Sequence, residues 1–240
     1  MIIRPRWELV LSDASGTYSD DRTPVYNADM RILDDAGIGR IPLDVWRTLP
    51  PANAIEFCRY MGVPLSDQKA YERFLQYFTE EAQTHPPQLY PGARDAFGAI
   101  RAGGRPLGII SGHPHDKLEQ EGRGYGIWNL FSVVKGGSRN KARDIRAACD
   151  EMGVPPAQTL YFCDMITDID AARAAGAQPL CVAHGYHTAE MLTAALGPEQ
   201  VRDFLVPDLV ALANGPLTHL LAATRSEKRA ANVTRTQQAR

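Results

Sequence analysis

No stretch of the sequence is apolar for long enough to span a bilayer, so no membrane partner is expected. The first residues, Met1-Ile2-Ile3-Arg4-Pro5-Arg6, lack an apolar signal core and a small-residue cleavage site, so no secretory leader is expected either. Cysteine is scarce: Cys58, Cys149, Cys163 and Cys181 show no paired spacing. That argues against a disulfide framework and for a reducing, cytoplasmic setting. Cys149, Cys163 and Cys181 lie in apolar runs and read as small core residues. Charge of either sign is hardly in excess, with a formal net charge of −2, which gives no sign of a nucleic-acid partner. No internal repeat is evident. Large apolar residues also run out after about Arg225, and residues 225–240 are expected to be a disordered tail.

What the chain does have is 240 residues, 44% of them hydrophobic, enough for one or two domains with a sizeable core. Strand-like segments recur at Glu8–Asp13, Pro106–Ser111, Ser132–Val134, Thr159–Asp164 and Gln178–Ala183. Helical patterns separate them, at Ala93–Arg101, Lys141–Met152 and Ile169–Ala175. This alternation predicts an α/β fold in which helices cover both faces of a parallel sheet. Ligands of such sheets bind beyond the carboxyl ends of the strands. Asp13, Ser111 and Asp164 each fall at such an end, which gathers them into one crevice. Between Tyr18 and Gln88 no strand is convincing. Tyr26–Ala36, Leu43–Thr48, Ala52–Met61 and Asp67–Thr84 have helical composition, punctuated by Pro50-Pro51, Gly62-Val63-Pro64 and Pro86-Pro87. A helical insert after the first strand reads as a lid.

Four pieces carry the chemistry. The first is Asp13-Ala14-Ser15-Gly16-Thr17, where a buried strand delivers a carboxylate into a glycine turn. The second is Leu107-Gly108-Ile109-Ile110-Ser111-Gly112, an apolar strand ending in a hydroxyl. The third is Lys141, which opens a helix after the Gly136-Gly137 turn. The fourth is Asp164-Met165-Ile166-Thr167-Asp168, followed by the small-residue helix Ile169–Ala175 and Gly176. In this order and context the pieces resemble the haloacid dehalogenase-like (HAD) superfamily, over roughly Glu8 to Leu209. Leu89-Tyr90-Pro91-Gly92 is similar to the re-entry from cap to core in phosphoglycolate phosphatase-like members.

The resemblance implies a three-layer α/β/α Rossmann-like parallel sheet with an inserted α-helical cap. The core would comprise residues 1–17 and 89–224, and the cap residues 18–88. It implies a hydrolase of a small phosphorylated substrate. Asp13 would attack phosphorus and form an aspartyl-phosphate, and Lys141 would balance the phosphate charge. Ser111, Gly112, His113 and Lys141 would bind the substrate, Ser111 by a hydrogen bond to a phosphoryl oxygen. Asp13, Asp164 and Asp168, with the backbone carbonyl of Ser15, would hold Mg²⁺, a hard cation that prefers oxygen.

One residue departs from the family pattern. The D-x-D-G-T signature has a second aspartate, which acts as the general acid, and here that position is Ser15. Acid–base help of this kind contributes about 10²–10⁴-fold, and a serine hydroxyl has far too high a pKa to replace it, though it can hydrogen-bond. Three alternatives stay open. The substrate's leaving group needs little protonation; or another residue supplies the proton, His113 and His115 being nearest in the sequence; or the protein binds a phosphorylated ligand or partner without turnover. P-type ATPases (D-K-T-G-T), phosphonoacetaldehyde hydrolases (D-x-A-G-T) and haloacid dehalogenases also differ at this position. A carbon–phosphorus hydrolase would need a placed cap lysine for its Schiff base. No lysine lies between Tyr18 and Gln68, and Lys69 comes later than the family's. Dehalogenases need no metal, whereas Asp164 and Asp168 keep the acidic pair. Elsewhere Asp170 reads as a first-turn helix acid. His184 and His187 read as packing or surface residues, and the cap arginines Arg40, Arg47 and Arg59 as solvated side chains able to meet an anion. The sequence leaves the oligomeric state open.

Overall fold

The computed structural model describes residues 7–50, 53–215 and 217. The tail at 225–240 therefore lies outside the described residues. In chain order the elements begin with β1 (Leu9–Ser12) and β2 (Ser19–Asp20), then α1 (Arg22–Asp35), α2 (Leu43–Trp46), α3 (Ala54–Tyr60) and α4 (Asp67–Thr84). Next come β3 (Gln88–Leu89), α5 (Ala93–Ala102), β4 (Leu107–Ile110), α6 (His115–Gly124), β5 (Val133–Lys135) and α7 (Lys141–Met152). The chain continues through β6 (Thr159–Cys163), α8 (Ile166–Ala175), β7 (Gln178–Val182), α9 (Ala189–Leu196), α10 (Pro198–Phe204), β8 (Leu205–Val206) and α11 (Leu209–Asn214).

Among the described residues, six strands form one sheet in the order β5-β4-β1-β6-β7-β8, every neighbouring pair parallel. Strand side chains alternate between faces, and that period sorts the core into two layers. Val10, Leu107, Ile109, Leu160, Phe162, Leu180 and Val182 pack with Ala93, Phe97 and Ile100 of α5 and Leu209 and Leu212 of α11. Leu9, Leu11, Ile110, Tyr161, Cys163 and Cys181 point the other way, onto Ile145 and Cys149 of α7, Ile169 and Ala172 of α8, and Leu192 of α9. Burying each such large side chain contributes about 1.5–3 kcal/mol, so both faces of the sheet must be covered. The result is the three-layer α/β/α fold. All four cysteines are buried and free.

The helices α1 to α4 bury a cluster of their own, built on Met30, Ile32, Leu33, Trp46, Phe57 and Phe78. Tyr186, from the loop after β7, joins that cluster. Two expectations need correction. The segment from Tyr18 to Gln88 does hold strand at its ends. Ser19 pairs with Leu89 and Asp20 with Gln88 in a short antiparallel ribbon at the root of the helical insert. The strand β8 also had no counterpart among the strand-like segments. β2, β3 and β8 are each two residues long and have too few residues to show a period. Helix α1 starts at Arg22 rather than Tyr26, which places Asp21 at its N-cap.

Candidate active site

β1 lies between β4 and β6, and Asp13 follows its last residue. The Asp13 amide donates to the Phe162 carbonyl of β6 at 2.9 Å, so the Asp13 turn is stitched to the strand that leads to Asp164. The turn then closes on itself. The amides of Thr17, Tyr18 and Ser19 all donate to the Ala14 carbonyl. Gly16 has φ +73°, and a Cβ there would fall 2.3 Å from Asp164 Oδ2 and 2.6 Å from the Tyr186 ring. Only glycine lets the turn lie this close to Asp164.

Asp13, Asp164 and Asp168 are all buried and offer carboxylate oxygens within 4.8 Å of one another. Lys141 Nζ lies 3.0 Å from Asp13 Oδ2 and 2.7 Å from Asp168 Oδ1, so the first residue of α7 bridges Asp13 to the first turn of α8. The Thr17 hydroxyl donates to Asp164 Oδ1 at 2.8 Å and the Tyr186 amide to Asp164 Oδ2 at 2.7 Å. Asp168 Oδ2 is buried without a protein partner.

The electrostatics follow from burial. Burial pushes the Asp13 carboxyl up to about 7, against the lowering pull of Lys141 and with a further push from Asp168. Burial and the Asp13 charge hold Asp164 well above the usual carboxylate range. Burial pulls Lys141 down, but Asp13 and Asp168 overcome it and keep the ammonium well above its ordinary value. Three buried carboxyls thus share one site, and only two of them are paired with the lysine. An uncompensated buried charge costs several kcal/mol, and a divalent cation among three carboxylates is the group this donor set fits. The orphaned Asp168 oxygen fits it too.

Ser111 follows β4, beside Asp13 at the same sheet edge, and is buried. Its Oγ accepts from the His113 amide at 3.2 Å. Gly112 is exposed, with the Ser138 carbonyl 3.9 Å from where its Cβ would be. The two histidines named as proton sources have different surroundings. His115 is exposed and packs edge-on against Trp128. His113 Nε2 lies 4.0 Å from Asp21 Oδ2. Burial, then the Lys117 and Lys141 charges, lower the His113 imidazole to about 3, so it is neutral and not a ready acid.

His184 Nε2 pairs with the Thr17 carbonyl at 3.0 Å and the ring stacks on Tyr90, while His187 Nδ1 accepts from the Ile166 amide. Arg40 and Arg59 make exposed ion pairs with Asp34 and Asp67. Arg47 is engaged otherwise: it donates to the carbonyls of Ala183, Tyr186 and His187, tying the helical insert to the loop after β7.

The Ser15 side chain contacts two residues that no motif flagged. Its hydroxyl meets Asp21 Oδ2 and lies 2.8 Å from the Tyr186 hydroxyl, which itself donates to Asp21 Oδ1 at 2.7 Å. Nothing in the spacing of the sequence signals this. Asp21 looks like an ordinary helix-start acid, and Tyr186 sits 171 residues from Ser15.

The family model for haloacid dehalogenase-like hydrolases matches residues 10–182. The chain belongs to this family. Among similar HAD proteins, the phosphoglycolate phosphatase of Chromobacterium violaceum is 30% identical over 134 residues, 54% of this chain and 60% of that protein. The Escherichia coli phosphoglycolate phosphatase is 31% identical over 130 residues, 52% of this chain and 50% of that one. The chain thus matches about half the length of these relatives. A haloacid dehalogenase-like hydrolase from Streptococcus pneumoniae shares the fold, with TM-score 0.64 and 20% identity over 87% of this chain and 97% of that one. No described helix is long and apolar enough to cross a membrane.

Proposed function

We propose that this HAD protein is a Mg²⁺-dependent phosphatase of a small phosphorylated metabolite, acting through a phosphoryl group carried on Asp13. The observation that supports this best is the buried Asp13–Lys141–Asp168 bridge with Asp164 beside it. A turn or an exposed acidic face has no use for three clustered buried carboxyls, two of them paired with one ammonium. Asp13, Asp164, Asp168 and the Ser15 carbonyl would hold the Mg²⁺, whose charge would neutralise phosphate oxygens next to the nucleophile.

The chain's own residues divide the remaining work. Lys141 favours the ionised form of Asp13 and adds positive charge where the phosphoryl oxygens gather. Ser111 Oγ accepts from the His113 amide and keeps its own hydrogen for a phosphoryl oxygen. The helices α1 to α4 would shield the site from water and select the organic part of the substrate. The names of the relatives make 2-phosphoglycolate the first compound to try. A phosphate-release assay over a panel of phosphorylated metabolites, with and without Mg²⁺, tests the reading. Mg²⁺-dependent release from at least one small alkyl phosphate is expected. Binding of panel members without release would contradict it and favour a ligand-binding role.

A further inference from the structure

Asp21 has the surroundings of a working group rather than of a helix cap. An N-cap aspartate ordinarily accepts a backbone N–H from the first turn of its helix. Asp21 does not. Two residues into α1, Pro24 has no N–H to give. Its carboxyl oxygens are engaged elsewhere instead, Oδ2 by the Ser15 hydroxyl of the Asp13 turn and Oδ1 by the Tyr186 hydroxyl of the loop after β7. The carboxyl is 1% exposed, at the junction of the β2–β3 ribbon and the helical insert.

The arrangement is fixed from several sides. Tyr186 is held by its amide on Asp164 and by an edge-on contact with Trp46, at 5.6 Å between ring centroids. Its ring lies against Gly16, within the Asp13 turn. Ser15 is therefore not a bare hydroxyl at the position where the family carries an acid. It is a hydroxyl with a carboxyl group behind it.

We propose that Asp21 replaces the missing acid at position 15, acting through the Ser15 hydroxyl, and that the site is thereby built for alkyl phosphates, whose leaving oxygens need a proton. This rests on the phosphatase reading above. In the first step an Asp13 oxygen bonds to phosphorus and the bond to the alkyl oxygen breaks. The Ser15 hydroxyl gives its proton to that oxygen and takes the proton of the Asp21 carboxyl, which is left as carboxylate. In the second step water attacks the phosphoryl group on Asp13. One water proton passes to Ser15 Oγ, the Ser15 proton returns to Asp21, and the Asp13 carboxylate departs. The protons balance over the cycle, and no other reactant is needed. Asp21 is a positioning and proton-storing residue, and Ser15 is the group that touches the substrate.

The test compares phosphate release from an alkyl phosphate series and from 4-nitrophenyl phosphate, whose leaving group departs unprotonated. Wild type, Asp21→Asn and the relocated pair Ser15→Asp with Asp21→Asn are measured with Mg²⁺. For Asp21→Asn we expect a fall of ~10²–10⁴-fold on alkyl phosphates and a much smaller fall on the aryl ester, which also reports that the protein is folded. The relocated pair is expected to recover most of the alkyl activity. Equal losses on both classes, or no loss on either, would overturn the inference and leave Asp21 a structural residue. So would a relocated pair that cleaves the aryl ester yet not the alkyl series. A wild type inert on both classes would overturn the phosphatase reading itself, and this inference with it.

Discussion

At Asp13 burial and charge pull in opposite directions. Burial raises its carboxyl to about 7 and Lys141 lowers it, so the proposed nucleophile depends on its ammonium partner to stay ionised. Asp13→Asn removes the proposed nucleophile at nearly constant volume and leaves Lys141 its second partner, Asp168. The variant should fold and melt near wild type, by circular dichroism, while phosphate release drops below detection. Residual turnover near wild type would exclude Asp13 as nucleophile. At this scale the sequence was partly legible. Asp13, Ser111, Lys141, Asp164 and Asp168 stand at element ends with the residue types phosphoryl transfer needs. Asp21 and Tyr186 could not be read, because their meaning comes from a side-chain direction and from a contact across 165 residues.

Among the elements, the parallel strands and the long helices were legible from apolar runs and helical composition, and α4 and α7 match their expected bounds. The two-residue strands were not, since pairing made them rather than pattern. Helix α1 hides another unread feature. Its Asp29 is buried, and one oxygen accepts from Trp46 Nε1 while the other has no partner. Burial raises this carboxyl to about 7, a rise that the Trp46 bond only tempers. The folded state thus holds the proton more tightly than the unfolded state does. Stability is full below the unfolded value near 3.8 and falls as pH rises toward about 7, where the loss levels off. Asp29→Asn keeps an acceptor for Trp46 and removes the titration. In urea unfolding, the variant should gain on wild type by about 2–3 kcal/mol between pH 5 and pH 8. A difference that does not change with pH would contradict this assignment.

For the whole molecule, the sheet brings residues from three separate segments to one edge, and the carboxyl excess there should make the fold respond to divalent cations. A ligand at a hundred times its dissociation constant stabilises by about 2.7 kcal/mol, which for a chain of this size raises Tm by about 5–10 °C. Saturating Mg²⁺ should produce such a rise over a chelator in a thermal melt, and Asp164→Asn should abolish most of it. An unchanged Tm in wild type would argue that the acidic cluster holds no metal. This layered plan was the most legible part of the chain, because strand alternation and helix spacing each repeat many times over its length.

The central claim is that Asp13 carries the phosphoryl group. The most direct measurement is acid quenching during turnover of an alkyl phosphate with Mg²⁺, followed by proteolysis and mass analysis of the peptide containing Asp13. The account predicts one phosphoryl group on Asp13 in wild type and none on that peptide in Asp13→Asn. Rapid turnover with an unmodified Asp13 peptide, or a phosphoryl group on another residue, would contradict it.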